Sequence, residues 1–170
     1  MKHTLFTAAA AALLLSACAN NNAPNTSQNH GSSNASTAKA ASSGSCRPAG
    51  SGHTHGSAQN DIYMCSAAAV LNSAEARQHL DSSVSIRYGS AGNNPLTSRQ
   101  TANAVGKTPS ETCERAFLNT LIQFEKAAKK RNKRNASVIS YYDKKTVGGG
   151  QYECHIGTFH SKVVLRGSVY

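Results

Sequence analysis

The chain has 170 residues, with 18 Lys and Arg against 8 Asp and Glu, and a formal net charge of +10. A balance this basic, with a sequence pI of about 9.6, disfavours cationic ligands and points to anionic neighbours. No apolar run reaches the ~20 residues of a membrane-spanning helix, and the apolar content suits one small domain.

The N-terminus reads as a targeting segment. Lys2 precedes an apolar stretch from Leu5 to Leu15, too short to cross ~30 Å of hydrocarbon, so a secretory signal peptide is expected over residues 1–17. It ends in Leu15-Ser16-Ala17-Cys18, which resembles the bacterial lipobox. That resemblance implies cleavage before Cys18 and lipidation of Cys18. Several acyl chains, at ~0.8 kcal/mol per buried methylene, would anchor the chain stably without a transmembrane helix. Ala19 stands where Asp would resemble an inner-membrane retention signal. Outer-membrane anchoring is therefore expected, with either face of that membrane open.

Residues 19–60 contain no Val, Ile, Leu, Met, Phe, Tyr or Trp. A segment of Asn, Ser, Ala, Gly and Thr cannot bury enough apolar surface to offset its ordering entropy. A disordered tether over 18–60 is expected, with a root-mean-square reach of roughly 35 Å, followed by a single domain over 61–170. Setting Cys18 aside leaves Cys46, Cys65, Cys113 and Cys154, an even number that in an exported domain argues for two disulfides. Three pairings exist. Cys46 with Cys65 and Cys113 with Cys154 is the favoured set, since the first two flank the end of the tether and the others sit in expected core elements. A four-cysteine zinc site is disfavoured, because no CxxC spacing occurs.

Within the domain, a short helix is expected over 72–80 with Asn72 or Ser73 as N-cap. Strict alternation in Ser83–Gly89 places Val84, Ile86 and Tyr88 on one face of a strand. Residues 89–107 are polar and read as a long loop. Thr108-Pro109-Ser110-Glu111 combines a capping box with Pro at the first helical position. The helix it starts should run to about Arg131, with Cys113, Phe117, Leu121, Phe124 and Ala128 in one apolar stripe beside Ala116 and Leu118. Asn132 and Asn135 are candidate left-handed stop residues. Three strands should follow: Ala136–Tyr142, then Gln151–Gly157 after a loose hairpin turn, then Ser161–Val169 as a central strand. The expected fold is α+β, one long helix on a small antiparallel sheet in the order α-β-α-β-β-β, stapled by disulfides.

These blocks resemble a family of small exported proteobacterial proteins. LNSAEARQHLDSSVSIRYG (71–89), CERAFLNTLIQFEKAA (113–128), NASVISYYDKK (135–145), YECHIGTF (152–159) and VVLRGSV (163–169) match its blocks in order over about 100 residues. The family's function is not known, so the resemblance implies a fold and an exported location. It also implies a Cys113–Cys154 bond, since the two matching family blocks hold one cysteine each. Many members carry the label "excinuclease ATPase subunit". This chain has no GxxxxGK[ST] phosphate loop to support that label. The arrangement is more distantly similar to an outer-membrane lipoprotein that senses envelope stress.

No GxSxG, HExxH or paired-carboxylate motif occurs, so neither an enzyme nor a cofactor is expected. His53 and His55, in GSGHTHGS, are weak candidates for Cu²⁺ or Ni²⁺. His155 and His160 read as solvated or core-edge residues, and of Tyr141 and Tyr142 one should be core and the other exposed. The sharpest surface feature is basic: six of the nine residues from 126 to 134 are cations, namely Lys126, Lys129, Lys130, Arg131, Lys133 and Arg134. Capping a helix C-terminus needs one or two. In an exported protein, nucleic acid is not the expected partner. An anionic glycan, lipopolysaccharide or host polyanion is, and a protein partner in an envelope-stress or assembly role is the alternative.

Overall fold

The computed structural model of the chain describes residues 44–53 and 59–170. The signal peptide, Cys18, the tether up to residue 43 and His55 lie outside them. In chain order the described residues form β1 (Cys46–His53), β2 (Gln59–Ser66), α1 (Ala67–Leu71), α2 (Ala74–His79), β3 (Ser85–Tyr88), β4 (Leu96–Asn103), α3 (Pro109–Lys130), β5 (Asn135–Ser140), β6 (Gln151–Ile156) and β7 (His160–Val169). The fold is α+β: one long helix on a seven-stranded, mostly antiparallel sheet, with disulfides Cys46–Cys65 and Cys113–Cys154. No helix among the described residues is long and apolar enough to cross a membrane.

The long helix forms as its sequence dictates. The Thr108 hydroxyl accepts from the Glu111 amide at 3.3 Å, and the Glu111 carboxylate accepts from the Thr108 amide at 2.7 Å, closing the capping box. Two of the otherwise orphaned amides are satisfied in this way. The apolar stripe of α3, from Cys113 through Phe117, Leu121 and Phe124 to Ala128, is wholly buried. It packs on the sheet face that carries Val138, Tyr152, Cys154, Val163 and Leu165. The Phe117 and Tyr152 rings stack with centroids 4.1 Å apart, and the Cys113–Cys154 bond ties the two layers. At the start of the chain's helical half, Ser66 and Ser73 cap α1 and α2.

β7 is the centre of the sheet. β4 runs along one of its edges, from the Asn103–His160 pair to the Leu96–Gly167 pair. The opposite edge is shared: β5 pairs with residues 165–169 and β6 with residues 161–163. β5 and β6 therefore run head to tail along β7, and residues 141–150 leave the sheet between them. β6 also pairs with β2, and β2 with β1. β3 lies parallel to β5, and the crossover between them contains α3, as a parallel pair requires.

Several expectations are corrected here. The expected tether to residue 60, and a domain beginning at 61, give way to a hairpin of β1 and β2. β1 contains no large apolar residue, so nothing in its side-chain pattern announces a strand. Its register is pinned instead by Cys46, directly opposite Cys65, and as an edge strand it tolerates Pro48. The expected loop over 89–107 contains β4, whose alternation is carried by small polar residues that half-bury Ser98 and Gln100 and expose Thr97, Arg99 and Thr101. The helix expected over 72–80 forms as α2 with Ser73 as its N-cap, and α1, which was not expected, precedes it. The loose hairpin between the strands at 136 and 151 does not form, because β7 takes the pairing edge of both. Asn132 does stop α3 at φ 53°, whereas Asn135 is the first residue of β5.

Candidate functional site

The C-terminal end of α3 is a rigid support for its cations. Arg131 caps the helix, the Asn132 amide donates to the Lys129 carbonyl at 3.0 Å, and the Lys133 amide donates to the Ala128 carbonyl at 2.8 Å. This is a Schellman termination, with Asn132 in the left-handed position. Lys126, Lys129, Lys130, Arg131, Lys133 and Arg134 are all exposed. Lys129, Lys133 and Arg134 line a shallow depression with Ser83, Val84 and Asn132. Lys126 and Lys130, one turn apart, project from the helix itself.

The acids near this end are already engaged. Asp81 pairs with Lys129 and accepts from the Ser83 amide at 2.8 Å. The Lys129 ammonium, and then the Ser83 amide, hold its carboxyl well below the usual carboxylate range. Glu125 is buried beneath them and accepts from the Asp81 amide at 2.8 Å. Burial pushes its carboxyl up. Lys126, Lys130, Arg131, Lys133 and Arg134 form no ion pair among the described residues. A surface held by five such cations attracts anions over the ~10 Å range that 0.1 M salt allows.

A second feature lies on the sheet face that α3 leaves uncovered. Period-2 alternation turns Glu153 and His155 of β6 away from the helix, with Lys162 of β7 directly opposite His155. His155 is 5 % exposed. Its Nε2 lies 2.5 Å from Glu153 Oε1, and its ring stacks flat on Tyr142, with centroids 3.5 Å apart and planes 4° apart. His155 Nδ1 is buried and has no partner. Beside it opens a cleft lined by Thr101, His160, Lys162 and the turn Gly157-Thr158-Phe159. The sequence carries a signal for this pair, since Glu153 and His155 stand two apart in a strand and so share a face. Nearby, Tyr142 is buried and Tyr141 half-buried, and Arg166 lies over the Tyr141 ring at 4.8 Å.

The four cysteines are spent on structure. The sulfurs of Cys46, Cys65 and Cys113 lie within 4.8 Å of one another, but in disulfides they offer no thiolate to a metal ion. His53 is the last residue of β1, and its side chain, like His55, is outside the described residues. No protein-family model, characterised protein or solved structure matches the chain. What the fold defines is a small, disulfide-stapled α+β domain with one basic end and a sheet face that α3 does not cover.

Proposed function

We propose that the chain is an outer-membrane lipoprotein whose domain is a non-enzymatic binding or adhesion module for an anionic envelope or host ligand. The lipobox at Cys18 and the apolar-free segment behind it support the anchored part of this reading. The observation that carries the binding part is the set of five exposed cations, Lys126, Lys130, Arg131, Lys133 and Arg134, on an ordered helix end whose neighbouring acids are otherwise engaged. Lys129 contributes less, because Asp81 already neutralises it.

The test is binding to lipopolysaccharide vesicles and to heparin as salt is raised. The full chain should bind, and binding should weaken steeply with ionic strength. Replacing Lys130, Arg131, Lys133 and Arg134 by Ser should abolish binding while the melting temperature stays nearly unchanged, since exposed side chains contribute little to stability. Unaltered binding by that variant overturns the proposal. One observation favours the second reading, an envelope-stress or assembly factor with a protein partner. The sheet face away from α3 carries the partly exposed Lys162 and Arg166, with Tyr141 beside Arg166. A defined partner crosslinked to that face, insensitive to salt, would decide for it.

A further inference from the structure

We propose that the cleft beside His155 binds a small carboxylate-bearing ring compound, a sugar acid being the simplest example. The site is separate from the basic end of α3 and does not rest on it. Its foundation is an imidazole fixed on two sides, by Glu153 at Nε2 and by the flat Tyr142 ring, with Nδ1 buried and unpartnered. A buried polar atom left without a partner costs roughly 1–3 kcal/mol, and such atoms in native folds call for an explanation. A ligand group that bonds Nδ1 supplies one.

The ligand's charge follows from what surrounds the cleft. Lys162 stands directly across from His155, and Thr101 directly across from Lys162. His160, two residues before Lys162, shares their face. The one acid here, Glu153, is already bonded to His155. A metal cation would meet Lys162 with no carboxylate left to offset it. A carboxylate would meet the Lys162 ammonium in a charge-assisted bond, the strong kind, while a ligand hydroxyl could donate to His155 Nδ1, an acceptor when Nε2–H donates to Glu153.

The body of the ligand is set by the turn between β6 and β7. Gly157 lets the Asn60 side chain close against the turn, for a Cβ there would stand 2.8 Å from the Asn60 side-chain oxygen. Phe159, two residues on, is 64 % exposed and presents an aromatic face at the rim. A ring stacked on Phe159 would cover that face while its carboxylate reaches Lys162.

Calorimetric titration of the full chain with glucuronate, glucose and inorganic phosphate tests the proposal. Glucuronate should bind saturably at one site. Lys162→Ala should weaken it by about tenfold or more, as loss of a charge-assisted bond implies. Phe159→Ala should weaken it by several-fold. Both side chains reach solvent, so these variants carry the test even if His155→Ala fails to fold. The four-serine variant of the α3 end should bind glucuronate like the parent chain, which separates this site from the basic surface. The proposal is overturned by absence of saturable glucuronate binding, by parent-like binding in Lys162→Ala, by glucose binding equally well, or by phosphate binding as tightly.

Discussion

The Tyr88 hydroxyl donates to the Gln151 carbonyl at 2.7 Å and accepts from the Ser140 amide at 2.9 Å. Those two groups are the last residue of β5 and the first of β6. Where the two head-to-tail strands interrupt the sheet, one phenol from β3 closes the gap. Its burial pushes the hydroxyl pKa up to about 12, so it stays a neutral donor throughout the physiological range.

Tyr88→Phe should therefore cost more than an ordinary surface hydroxyl. It leaves the amide of fully buried Ser140 without a partner, a loss of roughly 1–3 kcal/mol. Urea denaturation should show the lowered midpoint with an unchanged slope. A change below about 0.5 kcal/mol, the range of a neutral surface substitution, would mean that water restores both bonds.

Gly167 in β7 marks the closest approach in the domain. A Cβ there would lie 2.3 Å from the Ser137 carbonyl oxygen, 2.7 Å from Val138 Cγ1 and 3.0 Å from Phe124 Cε1. Two of these neighbours are core side chains and the third is backbone, so none can retreat freely. Gly167→Ala should destabilise by ~2 kcal/mol or more, at the upper end of overpacking costs. Circular dichroism of the thermal transition would measure it. Gly148→Ala, with open space around its Cβ, serves as the silent control.

What the sequence made legible is what side-chain pattern encodes. The Thr108 capping box, the Cys113-to-Ala128 stripe and the alternation through Ile86 and Tyr88 depend on local periodicity and are found where expected. β1 and β4 escape such reading for different reasons. Gly, Ser and Pro give β1 no buried face, and its place is fixed by a disulfide and backbone bonds. β4 sets Ser98 and Gln100 between Leu96 and Ala102 on its inward face, which breaks the apolar alternation. The tandem of β5 and β6 depends on β7, the last strand in the chain, taking an edge that local patterning assigned to a hairpin. At the candidate sites, the basic run was plain in the sequence, but the commitment of Lys129 to Asp81 is a contact between residues 48 apart.

Asp81 and Glu125 should oppose each other as the solution is acidified. Asp81 is held low by Lys129 and the Ser83 amide. Its stabilising contribution is present above its unfolded value of about 3.9 and is lost as pH falls through the lower folded value. Glu125 is raised by burial. The folded state binds its proton more tightly, so its contribution is full below the unfolded value of about 4.3 and is lost as pH rises through the folded one. Glu125→Gln keeps an acceptor for the Asp81 amide but cannot gain that proton. Denaturation between pH 6 and 4 should find the variant losing stability more steeply than the parent chain. Asp81→Asn should flatten the loss below about pH 4. Identical pH profiles for the parent and Glu125→Gln would show that Glu125 is not raised.

The two disulfides are neighbours, and their proximity has a chemical consequence. Cys113 Sγ lies within 4.8 Å of both the Cys46 and Cys65 sulfurs, and all four cysteines are buried. In the chain-entropy account, a separation of 41 residues for Cys113–Cys154 corresponds to about 4 kcal/mol, and one of 19 for Cys46–Cys65 to about 3 kcal/mol. Cys154→Ala removes the larger contribution and also frees the Cys113 thiol beside an intact bond. Its thiolate can attack Cys46 or Cys65, forming one new disulfide and releasing the other cysteine as the thiolate, with no net oxidation. Peptide mapping by mass spectrometry of Cys154→Ala, held at pH 8 without oxidant, should recover Cys46–Cys113 or Cys65–Cys113 beside the parent Cys46–Cys65 bond. Each molecule should keep one free thiol among Cys46, Cys65 and Cys113. Cys113→Ala, which leaves Cys154 bound to the sheet in place of the helix sulfur, should show less exchange. A Cys154→Ala map containing Cys46–Cys65 alone would mean that the packed core holds Cys113 off the line of attack even at this distance.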